Sequence, residues 1–310
     1  MARTSGFHAG ELQAQRNAQE QQMAARNSAN VVDHIMRGAL PFVRQQTMLY
    51  VASIDRHGHV WASMLFGAAG FLQPSEDAHT LVIDVRQVAM QERDPLWENI
   101  RHDDRLGLLL LETHSRRRLK INGRAVVADG RLHLAIEESV PICPRYIQRR
   151  SITLDDPGRQ AMPEGMRDGV ALGAEQLHSI TGADTFFLAS AHATHGADCS
   201  HRGGVPGFVR VLENGVLRIP DYNGNSMFNS FGNFLLDPQA GLLFPDYQRR
   251  VMLQLNGTVE VFWDQPDDDG FTAGTGRYWE FKPERWLETA LPAALRADFV
   301  DYSPFLPKGT

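Results

Sequence analysis

At 310 residues, with 43% hydrophobic and 22% charged side chains, the chain holds enough apolar material for one large core or two ordinary ones. A formal charge of −6 excludes a global attraction to nucleic acid or to an anionic membrane, so any bound anion must be held by local arginines and backbone N–H groups. Two cysteines, Cys143 and Cys199, exclude a disulfide framework; no run reaches the ~18 apolar residues of a membrane span and no signal-like stretch opens the chain, so a cytoplasmic protein is expected.

Residues 1–40 are rich in Gln and Ala and carry an apolar stripe at Val31, Val32, Ile35 and Met36, which predicts a helical arm. From 41 to 150 the signals are mostly β. "TMLYVASI" is a β-branched and aromatic run leading to Gly58, and "HVWASML" alternates. "PLWENIRHD" (95–103) is helix-like, with Leu96, Trp97 and Ile100 on one face. "GLLLLET" reads as a strand buried on both faces, and "RRLKINGRAVVA" as a period-2 strand broken by an Asn-Gly turn or bulge. "GRLHLAI" follows a turn signal. Residues 151–174, containing "LDDPGRQAMPEGMRDG", read as an exposed linker.

The same series then recurs over 175–288: "DTFFLASA", "NGVLRIPDY", a helix-like "NSMFNSFGNFLLD" (225–237), "AGLLFPDY" and "VMLQLNGTVEVFW". "LYVAS" and "FFLAS" lie 137 positions apart, and at that offset Ser63, Gly67 and Gly70-Phe71 match Ser200, Gly204 and Gly207-Phe208. Farther on the offset is 134: Asn99 matches Asn233, "GLLLLE" matches "GLLFPD", and Asn122-Gly123 matches Asn256-Gly257. Two copies of one small barrel are expected, followed by an extended Pro-rich tail at 289–310.

The copies differ where chemistry is concerned. Copy one reads "WASMLFGAAGFL" where copy two reads "DCSHRGGVPGFV", so Met64, Leu65 and Phe66 give way to His201, Arg202 and Gly203. Arginine donates a planar pair of N–H bonds suited to phosphate, and glycine lets a backbone approach a ligand. The ordinary reading is a solvated arginine in a Gly-rich turn. "IPDYNGNSMFNSFGN" (219–233) runs from a strand into a helix, where Asn225, Ser226 and Asn229 suit an anion or a plain N-cap. Arg86 and Arg93 stand in the matching part of copy one. "HSRRRLKING" places Arg116, Arg118 and Lys120 on one strand face, facing solvent or a phosphate across a domain interface. His192, His195, Cys199 and His201 have ligand-capable spacing, but the strand placement of the last two speaks against a structural zinc, and no metal is expected. No nucleophile elbow, dinucleotide fingerprint, P-loop or H-E-x-x-H occurs, so no catalytic side chain is assigned.

Together these residues resemble the pyridoxamine 5′-phosphate oxidase-related, FMN-binding split-barrel superfamily, over about 40–150 and 180–265. The motifs are "SHRGGVPGFV", "IPDYNGNSMFNSFGNFLLDPQAGLLF" and "LQLNG" in copy two, with "WASMLFGAAGF", "DPLWENI", "RRRLKING" and "CPRYIQRR" in copy one. The resemblance implies a mainly β fold of tandem six-stranded Greek-key barrels, with FMN held where two barrels meet. It implies that Ser200, His201, Arg202 and Gly203 line flavin and phosphate, and that Ile219, Pro220 and Asp221 pass the flavin by backbone contacts. Asn225, Ser226 and Asn229 would complete the phosphate site, and Gln254 would face the ring from the other side. The family's dimer would form within one chain, with Arg116 and Arg118 of copy one reaching into copy two, and a homodimer beyond it. One flavin site is expected, since copy one lacks the arginine-glycine set. The implied activity is flavin-mediated redox of a small molecule, with NAD(P)H or a separate reductase as electron donor. The C-terminus lacks the substrate-binding end of true pyridoxamine phosphate oxidases. The alternative is a non-catalytic flavin or haem carrier, with His192, His195 or His201 as axial ligand.

Overall fold

The computed structural model describes residues 6–89, 91–154 and 165–307. Helix α1 (Ala9–Asn17) starts at a reciprocal cap, in which the His8 ring accepts from the Glu11 N–H and Glu11 Oε2 accepts from the His8 N–H at 2.8 Å. Helix α2 (Gln21–Ser28) follows. The apolar stripe after it is not helical. Val32 bridges to Ser139, and Ile35 is fully buried with its N–H on the Ala78 carbonyl at 2.9 Å. Of that stripe, Ile35 joins the first barrel's core, while Val31, Val32 and Met36 stay half-buried. A short helix α3 (Leu40–Arg44) ends the arm.

The first barrel contains β1 (Met48–Ile54), β2 (Val60–Gly67), β3 (Leu72–Pro74), β4 (Thr80–Asp84) and β5 (Val88–Ala89). Helix α4 (Pro95–Asn99) precedes β6 (Arg105–Glu112), β7 (Arg117–Ala128) and β8 (Arg131–Ile142). Next come β9 (Arg149–Leu154), β10 (Met166–Gly169) and α5 (Ala174–Gly182). The second barrel contains β11 (Thr185–His192), β12 (Gly196–Gly203), β13 (Arg210–Val211) and β14 (Leu217–Pro220). Helix α6 (Asn229–Leu236) leads to β15 (Gln239–Asp246), β16 (Val251–Phe262), β17 (Tyr278–Ala290) and β18 (Leu295–Asp301).

The two large sheets have one topology. The first runs β3-β4-β8-β7-β6-β1-β2-β5, and the second runs β13-β14-β17-β16-β15-β11-β12 in the equivalent direction. Each is an antiparallel, curled split-barrel sheet of eight strands rather than the six expected: short β3 and β5 edge the first, and short β13 and the added β10 extend the second. Both Asn-Gly pairs shift the register, at Asn122/Gly123 and Asn256/Gly257, so that dipeptide makes a bulge rather than a turn. The residues read as linker and tail are partly structured: β18 pairs with β9, and β10 adds to β17. Residues 155–164 of that linker lie outside the described residues.

Three apolar clusters follow from this arrangement. Leu49, Val51, Leu65, Leu108 and Ile121 fill the first barrel, and Phe186, Leu188, Leu242, Leu255 and Trp279 fill the second. A third cluster joins them, with Tyr50, Ala62, Met64, Phe66 and Leu109 against Phe187, Ala189, Cys199 and Leu243. Tyr50 and Phe187 stack at 3.5 Å between ring centres. Alternate residues of one strand therefore serve a barrel interior and the inter-barrel layer, which explains why β1 and β2 are buried throughout. The backbones meet at Gly107 and Gly241, where an added Cβ would strike the Ala197 carbonyl and the Val60–Ala62 backbone respectively.

Candidate functional site

A cleft opens between the barrels beside this shared layer. From the first barrel and the segment after it come Arg118, Lys120, Cys143, Arg145 and Tyr146. From the second come Ser200, His201, Arg202, Gly203, Pro220, Asp221, Asn225, Ser226, Asn229 and Arg277. Ten of the thirteen residues singled out in the sequence thus line one cleft; Ile219, Gln254 and Arg116 do not. Ile219 is fully buried in the second barrel's interior. Arg116 lies in the turn before β7 at φ +57°, not on the strand, so the alternation that places Arg118 and Lys120 together leaves it out. It donates to the Ile147 carbonyl at 2.8 Å and pairs with Asp301.

Gln254 is misplaced for an informative reason. It occupies on β16 the position that Lys120 occupies on β7, and each side chain crosses to the opposite barrel. Lys120 pairs with Asp198 on β12 and donates to Asn229 Oδ1 at 3.3 Å. Gln254 donates to the Ala62 carbonyl at 2.9 Å and stands 3.3 Å from Ser63 Oγ and Asp94 Oδ2. Ser63 in turn donates to Asp94 Oδ1 at 2.6 Å, and the same oxygen accepts from the Leu96 N–H at 2.9 Å. The first barrel therefore closes its equivalent place with its own buried carboxylate. Burial raises the Asp94 carboxyl above the usual carboxylate range, against the pull of these donors.

The cleft itself gathers cations from both barrels, with Asp221 among them. The Arg118 Nε donates to the Cys143 carbonyl at 2.8 Å, and burial pulls its guanidinium down to about 10, with Arg202 adding to the effect. Arg202 lies 3.6 Å from Asp221, and its buried Nε has no hydrogen-bond partner. Burial depresses this guanidinium too, with Asp221 in opposition. Asp221 also accepts from Arg277 Nε at 3.1 Å, and Arg277 reaches Glu20 of the arm at 3.0 Å. Both ring nitrogens of the buried His201 lack partners; burial, then Arg118, Arg202 and Arg150, hold the ring well below its ordinary value and therefore neutral. Buried polar atoms without partners are costly, and among the described residues Arg202 Nε and the two His201 nitrogens are the ones that line this cleft.

Gly203 has a different task from the one its letters suggest. A Cβ there would collide with the Tyr146 carbonyl, so the glycine admits the first barrel's C-terminal segment rather than a ligand. That segment is then tied down by the Tyr146 hydroxyl, which donates to the Asn223 carbonyl at 2.9 Å, and by Gln148, which donates to the Gly204 carbonyl at 2.9 Å. Helix α6 also starts later than its apolar spacing suggests. Ser226 and Phe228 adopt left-handed φ values of +62° and +58°, and Asn225 caps a turn at Met227 (3.2 Å) instead of the helix.

Two contributors were not singled out. Asp198 accepts from Asn122 at 2.7 Å and Asn233 at 2.9 Å besides pairing with Lys120; burial alone would raise it, but these partners together lower it. The signal available was that Asp198 replaces Trp61 of copy one. The arm is the other. Asn27 donates to the Asn225 carbonyl at 2.7 Å, Gln15 to the Met227 carbonyl at 3.2 Å, and Glu11 accepts from Asn229. Helices α1 and α2 thus hold the 225–229 wall of the cleft. His192, His195, Cys199 and His201 do not gather into a ligand set: the first two pack with His8, while Cys199 is buried in the inter-barrel layer, which pushes its thiol up.

No family model and no curated protein matches the chain. Among solved structures it is similar in part to HupZ from group A Streptococcus, at 12% identity over 42% of this chain and 99% of that one, TM-score 0.31. A pyridoxamine 5′-phosphate oxidase-like protein from Lactobacillus delbrueckii is 16% identical over 37% of this chain and 92% of its own, TM-score 0.30. The haem storage protein HutZ from Vibrio cholerae is 11% identical over 37% and 92% respectively, TM-score 0.28. Among the described residues no helix is long and apolar enough to cross a membrane.

Proposed function

We propose that this chain binds one phosphate-bearing flavin, FMN, in the cleft between its barrels and serves in flavin-mediated redox of a small molecule. The observation that carries the reading is a set of buried polar atoms without partners: Arg118 and Arg202 face one cleft, Arg202 Nε has no acceptor, and neither nitrogen of the neutral His201 ring, one a donor and one an acceptor, has a partner. A phosphate supplies what they lack, since it accepts paired N–H bonds and compensates two partly desolvated cations. Arg118, Arg202, Ser200 and Asn229 would hold the phosphate, and Lys120 would keep Asn229 oriented through its 3.3 Å bond. Asp221, bound by Arg277 and close to Arg202, keeps the second guanidinium directed along the cleft wall. When bound, flavin itself accepts a hydride or single electrons, so the protein's part is to anchor, orient and limit water.

His201 supports a second reading. A neutral imidazole with two unpartnered nitrogens is also a haem ligand, and of the three histidines considered it is the one that lines the cleft. Absorbance of the purified protein after incubation with FMN, or separately with haemin, and removal of excess ligand decides between them. Retained two-band flavin absorbance with no Soret band supports FMN. A Soret band that His201→Ala alters supports haem, and retention of neither contradicts both. Bleaching of retained flavin by NADH or NADPH would identify a donor for redox turnover.

A further inference from the structure

Outside the cleft, the arm and the turn before β4 bring together three side chains able to hold a metal: Asp33, His34 and His79. Asp33 Oδ1 lies 3.1 Å from His34 Nδ1 and 3.9 Å from His79 Nδ1, and one ligand atom of each lies within 4.8 Å of the others. A tetrahedral ion bound at about 2.0–2.1 Å sets its ligand atoms about 3.3 Å apart, so closure needs side-chain shifts of about an ångström.

The backbone holds these residues in place. Val32 is bridged to Ser139 and Ile35 is bonded to Ala78, so Asp33 and His34 span a two-residue gap fixed at both ends. His79 sits on a turn held by Asp77, which accepts from the His79 N–H at 3.1 Å and the Ser75 hydroxyl at 2.6 Å. His79 Nδ1 also bonds the Asp33 carbonyl at 3.0 Å, a partner it would exchange for the cation. The side chains of Asp33, His34 and His79 are 42%, 40% and 51% exposed, which leaves room for water to complete the coordination.

We propose that Asp33, His34 and His79 form a binding site for a zinc-class divalent cation, which staples the end of the arm to the first barrel. Two imidazoles and one carboxylate suit Zn²⁺ and its borderline neighbours and do not suit Mg²⁺ or Ca²⁺, which take oxygen ligands. The site is separate from the inter-barrel cleft and does not depend on what binds there.

The test uses the untagged full chain, stripped with a chelator and titrated with Zn²⁺ by calorimetry and with Co²⁺ by visible absorbance. The expected result is one Zn²⁺ per chain, a Co²⁺ d–d band, and a rise in melting temperature with Zn²⁺. His79→Ala, His34→Ala and Asp33→Asn should each weaken Zn²⁺ binding at least tenfold and lose the melting shift. These exposed changes should leave the metal-free melting temperature in place, and three variants guard against one misfolding. Absence of Zn²⁺ binding by the natural chain would overturn the proposal. So would binding that survives all three changes or falls only with His192→Ala or His195→Ala.

Discussion

Replacing Arg118 by Met should change ligand affinity and stability in opposite directions. Arg118 belongs to the first barrel, yet it faces the cleft lined by His201 and Arg202 of the second. Its Nε donates to the Cys143 carbonyl, and burial pulls its guanidinium from its ordinary value down to about 10. At about 1.4 kcal/mol for each tenfold change in proton affinity, the cationic form carries a burial cost on the order of 3 kcal/mol. That is an upper figure, because the side chain keeps some exposure on the cleft. Methionine of similar reach removes this cost, so the ligand-free variant should melt at the same temperature or higher. A charge-assisted bond to phosphate contributes about 1.5–3 kcal/mol, so its loss should raise the FMN Kd roughly 10- to 150-fold. Flavin fluorescence titration and thermal melting of the ligand-free protein measure both quantities. An affinity within twofold of the natural chain, or a melting point several degrees lower, would refute the role given to Arg118.

Other outcomes follow from the same geometry. His201 is held well below 6.5 when folded, so only the unfolded chain takes up its proton as pH falls under that value. Stability should therefore drop by up to about 1.4 kcal/mol per pH unit below 6.5, and His201→Leu should flatten that limb in denaturant titrations at several pH values. Gly203→Ala drives a methyl group into the Tyr146 carbonyl and should destabilise the fold by about 1–3 kcal/mol while loosening the cleft, measurable by urea unfolding. Asp94→Ala leaves the Ser63 hydroxyl and the Leu96 N–H without their buried acceptor, while Gln254 keeps the Ala62 carbonyl, and should cost about 1–3 kcal/mol in the same assay without creating a second flavin site. Asn229→Ala removes a partner of both Lys120 and Glu11, and should weaken FMN binding several-fold, read by fluorescence titration.

The fold was readable because the chain writes it twice. Ser63 and Ser200 recur on equivalent strands, Gly70-Phe71 and Gly207-Phe208 recur in the turns that follow them, and both Asn-Gly pairs fall on the same bulge. The contrast between the copies also led to His201 and Arg202, since a common framework that accepts Met64 and Leu65 does not itself require an arginine. What stayed hidden depends on how the barrels meet. Gln254 and Lys120 hold equivalent positions, but only the packing of one barrel on the other shows that each serves its opposite number. Arg116 has the right spacing and the wrong backbone, because a left-handed turn takes it off the strand. Gly203 looked like a ligand cradle, and only the nearby Tyr146 carbonyl reveals it as a passage for another segment. The arm's stripe from 31 to 36 has helical spacing, yet Val32 bridges to Ser139 and Ile35 is buried in the first barrel's core, a tertiary preference that outweighs local periodicity.

The central claim is that one phosphate-bearing cofactor sits in a cleft made by both barrels. Calorimetric titration of the natural chain with FMN and with riboflavin, which lacks the phosphate, tests it most directly. The account expects one FMN per chain and riboflavin bound at least tenfold more weakly; two FMN per chain, none, or equal affinity for FMN and riboflavin would contradict it.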